Sequence, residues 1–366
     1  MDTLGDLELL FLLSFTDAPP SHVLTLLKSK GINYRFVRGD LERVIREDER
    51  TGTKEGIRTA LEEALKELEF KLETFSSRVD SISEVYNITL LVAPVMLYSV
   101  GLFQPTVVQT SLWLLLALNA LLILLFRDLH PRVFKLNTKT PYLLGLSLLP
   151  TAIANLLYPW QGIKSSLLLQ SLLSIPLSYL TFNQFKRMNE ELKENQEILL
   201  KALTTPEHTF RAIPPELLTT NTLFGISKSV RLTLYLSSLW GVEEKNMLLL
   251  TYEKIYNFFK TITRKGFLNA TMNLLTIFLL GFASAVVKNI YQSLPIENLQ
   301  QWVNLYDVKG YLGTIDLYVL LASSLYALGL SILSIGLPIL FPLWLPLVSV
   351  TILAGELLGE RLFIHG

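Results

Sequence analysis

The stretch LEEALKELEFKLETFSSRVDSISEVYNITLLVAPVMLYSVGLF, residues 61–103, decides how this chain is built. Leu61, Leu65, Leu68, Leu72, Phe75, Val79 and Ile82 recur at spacings of four and three, which places them on one seam of a helix. Glu62, Glu63, Lys66, Glu67, Lys71 and Glu73 lie off that seam, so the first half reads as a solvated helix with one buried stripe. From Tyr86 to Phe103 the charges stop and apolar residues occupy every face. A helix needs about 18–20 such residues to cross a bilayer core. Nothing breaks the pattern before the apolar half, so one helix is expected to run from about Thr59 into the membrane. At about 1.5 Å per residue it would be a rod of order 65 Å.

Six further apolar stretches follow: Thr106–Phe126, Pro141–Tyr158, Ser165–Phe182, Phe267–Val287, Ile315–Ile335 and Leu337–Leu357. Only Gly336 separates the last two, which makes either a tight hairpin or one kinked passage, so the count is six or seven, with seven preferred. The rest of the composition agrees. Charged residues are 17% of the 366, against roughly 25% in an ordinary soluble domain, and mean hydropathy is +0.41. The 32 Lys and Arg balance the 32 Asp and Glu, which excludes a basic nucleic-acid binder. With no Cys there is no disulfide framework, no thiolate catalysis and no Cys-ligated metal.

The fold class expected is all-α, a polytopic membrane protein with two cytoplasmic helical bundles, each leading into transmembrane helices. Residues 1–85 form the first bundle and 86–182 four spans; 183–265 form the second bundle, and 266–366 two to three spans with an outer interfacial loop. Orientation follows the basic residues. Segments 1–85, 127–140 and 183–265 carry 28 of the 32, which puts all three, and the N-terminus, in the cytoplasm of a cell-membrane protein. The opening MDTLGD is acidic where a secretory signal needs basic residues, so Leu9–Phe15 is read as the buried face of a first soluble helix. Ser21 is expected to cap a helix over 22–30. In the second soluble segment Leu248, Thr251, Ile255, Phe258 and Ile262 repeat the seam on a helix that feeds the span at Phe267. A bundle whose last helix continues into a span thus occurs twice, a repeat of layout.

Chemistry is sparse. There is no G-x-x-x-x-G-K-[ST], H-E-x-x-H or G-x-S-x-G, and the four His (His22, His130, His208, His365) are scattered and read as exposed. No catalytic, cofactor-binding or metal-binding residue is expected, and the chain is not read as an enzyme. Asp316 and Glu356 are placed near span ends, where they reach water. Asn119, Asn155, Gln170 and Asn273 are read as helix–helix hydrogen bonders, and Gly281, Ala285, Ser324 and Gly329 as close-packing positions. Ile296, Leu299, Trp302, Val303 and Tyr306 are expected on an interfacial helix. Arg127, Arg132 and Lys135 on the short loop, with Lys186 and Arg187 below the fourth span, are candidates for protein or anionic-lipid contact.

The layout and three phrases resemble the type II secretion system F family, the membrane platform proteins of type IV pili, archaella and Tad-type pili. The phrases are TGTKEGIRTALEE (51–63), EVYNITLLVAP (84–94), which is similar to archaeal members, and LFGISKSVRLTLYLSSLWGVEEKNML (223–248). The resemblance covers the chain by topology and about 50 residues by phrase. It implies a platform, dimeric or larger, that couples a hexameric secretion ATPase in the cytoplasm to pilin-like subunits, with no covalent chemistry and no nucleic-acid partner. Candidate partner-binding residues are then the turn glycines Gly52, Gly56 and Gly241, with Glu243, Glu244 and Lys245. Two alternatives stand beside it: a transporter or permease membrane subunit, and a membrane scaffold for an unidentified partner.

Overall fold

A computed structural model describes residues 3–34, 39–101, 104–130, 141–204, 213, 216, 222–241, 245–293 and 305–364. Among these the regular elements are helices and one short parallel strand pair, β1 (Thr3–Leu4) with β2 (Asn33–Tyr34). The helices are α1 (Asp6–Phe15), α2 (Pro20–Ser29), α3 (Leu41–Thr51), α4 (Glu55–Asn87), α5 (Ala93–Val100), α6 (Pro105–Leu129) and α7 (Pro141–Thr204). They continue with α8 (Gly225–Trp240), α9 (Lys245–Ser293), α10 (Leu305–Ile335) and α11 (Phe341–Ile364). Six of them contain stretches long and apolar enough to cross a bilayer, so this is a multi-pass membrane protein. The chain divides into two compact units.

The first unit draws on both charged segments, 1–73 and 184–261. At its centre α1 packs on α8. Every residue of α1 from Leu7 to Phe15 is buried, so this helix buries all its sides and not just one face. A helix apolar all round has no water-facing side to offer. In α8, Thr233 donates to the Ser229 carbonyl at 2.8 Å, which keeps a buried hydroxyl satisfied within its own helix. Of the two expected seams, Leu61, Leu65 and Leu68 on α4 and Leu248, Ile255 and Phe258 on α9 are buried in this unit, while Leu72 is only half-buried. Helix α2 begins one residue before Ser21, with Pro20 in its first turn and no side-chain cap. Proline supplies the start by its fixed φ and needs no donor there.

The second unit holds residues 74–130, 140–183 and 262–366 as far as they are described. Helix α4 begins at Glu55, earlier than expected, and passes through a π-turn at Ile88–Val92 into α5. Pro94 accounts for the turn: its ring crowds the carbonyl four residues back and removes a donor, so the ladder slips to wider spacing. Helix α10 is the central helix of this unit. It is buried over 78% of its apolar stretch, where the other five are buried over 28% to 56%. Gly336 (φ 71°) ends it, and α11 returns against it as a hairpin, not a single kinked passage.

Helix α7 is interrupted at Gly162, whose φ of 75° and ψ of 174° suit only glycine. Gln170 Nε2 donates to Thr151 Oγ1 at 3.3 Å, and both side chains meet Ser324. Nineteen residues of straight helix would hold them about 28 Å apart. The chain therefore doubles back at Gly162, and the apolar parts before and after it lie side by side. The outside of this unit carries large apolar residues, among them Leu114, Leu156, Trp160, Tyr179 and Met272, each more than 60% exposed. Such a surface suits lipid, not water.

Candidate functional site

Of the residues singled out in the sequence, the turn glycines Gly52, Gly56 and Gly241 lie at the ends of helices. Asp48, on α3, is 7% exposed. Its two carboxylate oxygens accept from Gly56 N at 3.1 Å and Ile57 N at 2.6 Å, two of the unpaired donors that open α4. A Cβ on Gly56 would fall 2.7 Å from Asp48 Oδ1, so the small residue lets the carboxylate in. Gly52 closes α3 in the left-handed region. Asp48→Ala should cost about 1–2 kcal/mol of first-unit stability, as loss of a helix cap does. Chemical denaturation of the purified chain checks this, and an unchanged midpoint would show that the cap is dispensable.

Glu191 plays the same part in the second segment, accepting from Leu223 N (2.7 Å) and Phe224 N (3.1 Å) just before α8. Gly241 closes α8 at φ 101°, and a Cβ there would run into the Asp17 carboxylate. Arg231 is buried on α8 and donates to Asn195 Oδ1 at 3.0 Å and Glu194 Oε2 at 3.1 Å. Arg127, Lys186 and Arg187 are exposed, and Lys186 pairs loosely with Glu190 at 3.5 Å. Arg132, Lys135, Glu243 and Glu244, the side chain of Lys245 and the expected interfacial helix around Trp302 lie outside the described residues.

His130 was expected in an exposed position and is instead 9% exposed. Its ring meets Phe75 at 4.7 Å between centroids, and Nε2 donates to the Leu333 carbonyl at 3.1 Å. Burial pushes its pKa down to about 4, opposed by that hydrogen bond. A folded-state value below the unfolded value near 6.5 means that protonation favours unfolding. The stability contributed by the neutral ring is whole above pH 6.5 and is lost as pH falls towards 4, up to about 3 kcal/mol. Comparing wild type with His130→Gln should show the variant losing less stability over that window. Parallel pH profiles would contradict it.

The amides behave largely as read. Thr89 Oγ1 donates to Asn119 Oδ1 at 2.9 Å, Asn273 Nδ2 to Ser83 Oγ at 3.1 Å, and Gln170 reaches Ser324 and Ser323. Asn155 bonds the Thr151 carbonyl within its own helix.

One grouping was not legible. Lys288 on α9 donates to Asp316 Oδ1 on α10 at 2.6 Å and to Glu356 Oε1 on α11 at 2.8 Å. Ser284 donates to the same Glu356 oxygen at 3.1 Å, and Tyr158 on α7 approaches Asp316 at 3.5 Å. The side chains of Lys288, Asp316 and Glu356 are 14%, 20% and 1% exposed, so the two acids do not simply reach water as expected. Close helix approach is the cause. Gly281 lies on the Ile352 backbone and Gly355 on the backbone of Phe278 and Phe282, so α9 and α11 cross nearly in contact. The only sequence signal was a Lys just beyond one apolar stretch and two acids near the ends of two others. They are 28 and 68 positions from Lys288, which no local motif spans.

Tyrosines extend this polar interior: Tyr86, Tyr98, Tyr318 and Tyr326 are all at most 2% exposed. The Tyr318 and Tyr326 hydroxyls are 3.5 Å apart, and Tyr291 and Tyr311 both donate to the Tyr98 carbonyl. Among the described residues no three His, Asp or Glu are gathered to hold a metal ion. No protein-family model, no curated protein and no solved structure matches the chain.

Proposed function

We propose that this chain is a membrane platform of the type II secretion system F kind, coupling a hexameric cytoplasmic secretion ATPase to the handling of pilin-like subunits. The observation that carries the reading is the construction of the first unit. It is built from both charged segments, and its helices α4 and α9 each continue into an apolar stretch. Two continuous helices are suited to pass mechanical work from a soluble unit into a bilayer, and this needs no covalent chemistry in the chain. In this reading the N-terminus and the segments 1–85, 127–140 and 183–265 are cytoplasmic. Seven passes, counting α7 as two, bring the C-terminus to the outer side. The platform works as a homodimer or larger, with Arg127, Lys186 and Arg187 placed for protein or anionic headgroups.

Cross-linking in native membranes, followed by affinity purification of the full chain and mass spectrometry, tests this. A P-loop ATPase cross-linked to 1–85 or 183–265, together with pilin-like proteins, is the expected outcome. Recovery of a substrate-binding protein with a transport ATPase would overturn it in favour of the second reading, a transporter subunit. That reading draws on one observation, the buried Lys288–Asp316–Glu356 grouping.

A further inference from the structure

We propose that the Lys288–Asp316–Glu356 grouping is an exchangeable proton-binding site, with Glu356 the group that takes up the proton. This goes beyond the platform reading and does not depend on it. With all three ionised the grouping carries one net negative charge inside a unit whose outer surface is apolar. An uncompensated charge at low dielectric is costly, and a single monocation removes it.

The geometry selects a proton over a metal ion. The Lys288 ammonium lies 2.6 Å from Asp316 and 2.8 Å from Glu356, and so fills the place between the carboxylates where a metal would sit. The two acids are not equivalent. Asp316 keeps partial exposure and has both Lys288 and Tyr158 beside it. Glu356 is fully buried; its Oε1 receives Lys288 and Ser284, while its Oε2 is buried without a hydrogen-bond partner. That oxygen is where a proton costs least, since no donor must be displaced. The other titratable groups nearby are Tyr98 on α5, Tyr158 on α7 and the Lys164–Glu360 ion pair between α7 and α11. A tyrosine hydroxyl is ordinarily neutral below about pH 10 and the pair is internally balanced, so the net charge of the site is that of the three central residues. Proton uptake converts a carboxylate to a carboxylic acid, with no bond broken and no other reactant. Because Glu356 lies at the close crossing of α9 and α11, its charge state bears directly on how those helices hold together.

The test uses the full chain in lipid bilayers and pH-difference infrared spectroscopy of the protonated-carboxyl carbonyl band. The wild type should show a band that disappears as pH rises and is absent from Glu356→Gln. In Lys288→Met, where the counter-charge is gone, the band should persist to a pH higher by at least about one unit, a tenfold gain in proton affinity. A second readout needs no variant. Dicyclohexylcarbodiimide adds to protonated carboxyls in apolar surroundings, so its adduct on Glu356, located by mass spectrometry, should fall as pH rises. Identical spectra for wild type and Glu356→Gln at every pH, or an adduct yield on Glu356 that is constant with pH, would overturn the proposal and leave a fixed structural ion pair.

Discussion

Leu68→Asp should unfold the first unit while leaving the second intact. Leu68 is 2% exposed on the buried seam of α4, between Leu65 and the later seam residues. The new carboxylate would enter an apolar seam, and an uncompensated buried charge costs on the order of 3–5 kcal/mol. That is a large share of the stability of a domain, about 5–15 kcal/mol. Limited proteolysis of the full chain in detergent is the direct measurement. Rapid cleavage within 1–73 and 184–261, with the apolar helices still protected, is expected. Leu68→Met, which conserves volume, should behave nearly as wild type. If Leu68→Asp resisted protease as wild type does and kept its helicity, the seam would not be the core of this unit.

Gly355→Leu should have a comparable effect on the second unit. A Cβ at Gly355 already strikes the Phe278 carbonyl, and lies 2.8 Å from Phe282 N and 3.2 Å from the Gly281 carbonyl carbon. All of these are backbone, which cannot swing aside as a side chain tip would, so α9 and α11 must separate. Overpacking of this kind costs about 3 kcal/mol or more. Separation would also draw Ser284 and Lys288 away from Glu356. The thermal midpoint in detergent should therefore fall steeply, whereas Gly310→Ala, where a Cβ meets nothing within 4 Å, should leave it unchanged or slightly higher. Equal midpoints for Gly355→Leu and wild type would show that the crossing is loose.

The elements that could be read along the chain were those set by periodicity. The seam from Leu61 to Val79, its counterpart from Leu248 to Ile262 and the apolar stretches depend only on residues three and four apart, so they are visible in one dimension. Boundaries were less secure where a local device intervened. Asp48 starts α4 four residues early by accepting from Gly56 and Ile57, an interaction across eight or nine positions that no capping box announces. His130 looked like a loop residue because it follows an apolar run and precedes a proline. Its burial depends on Phe75 and Leu333, both far away in the sequence.

What the sequence determined by itself is a helical, multi-pass membrane chain with charged helical segments outside the apolar stretches. Hydropathy, helical period and charge distribution are sums over neighbours, and they need no tertiary structure to take effect. Three matters were decided only by the tertiary structure: that α1 and α8, from the two charged segments, share one core; that α7 doubles back at Gly162; and that Lys288, Asp316 and Glu356 meet. Each depends on which helix lies against which. That is settled by the close fit of small residues such as Gly281 and Gly355, and by the need of every buried polar group for a partner.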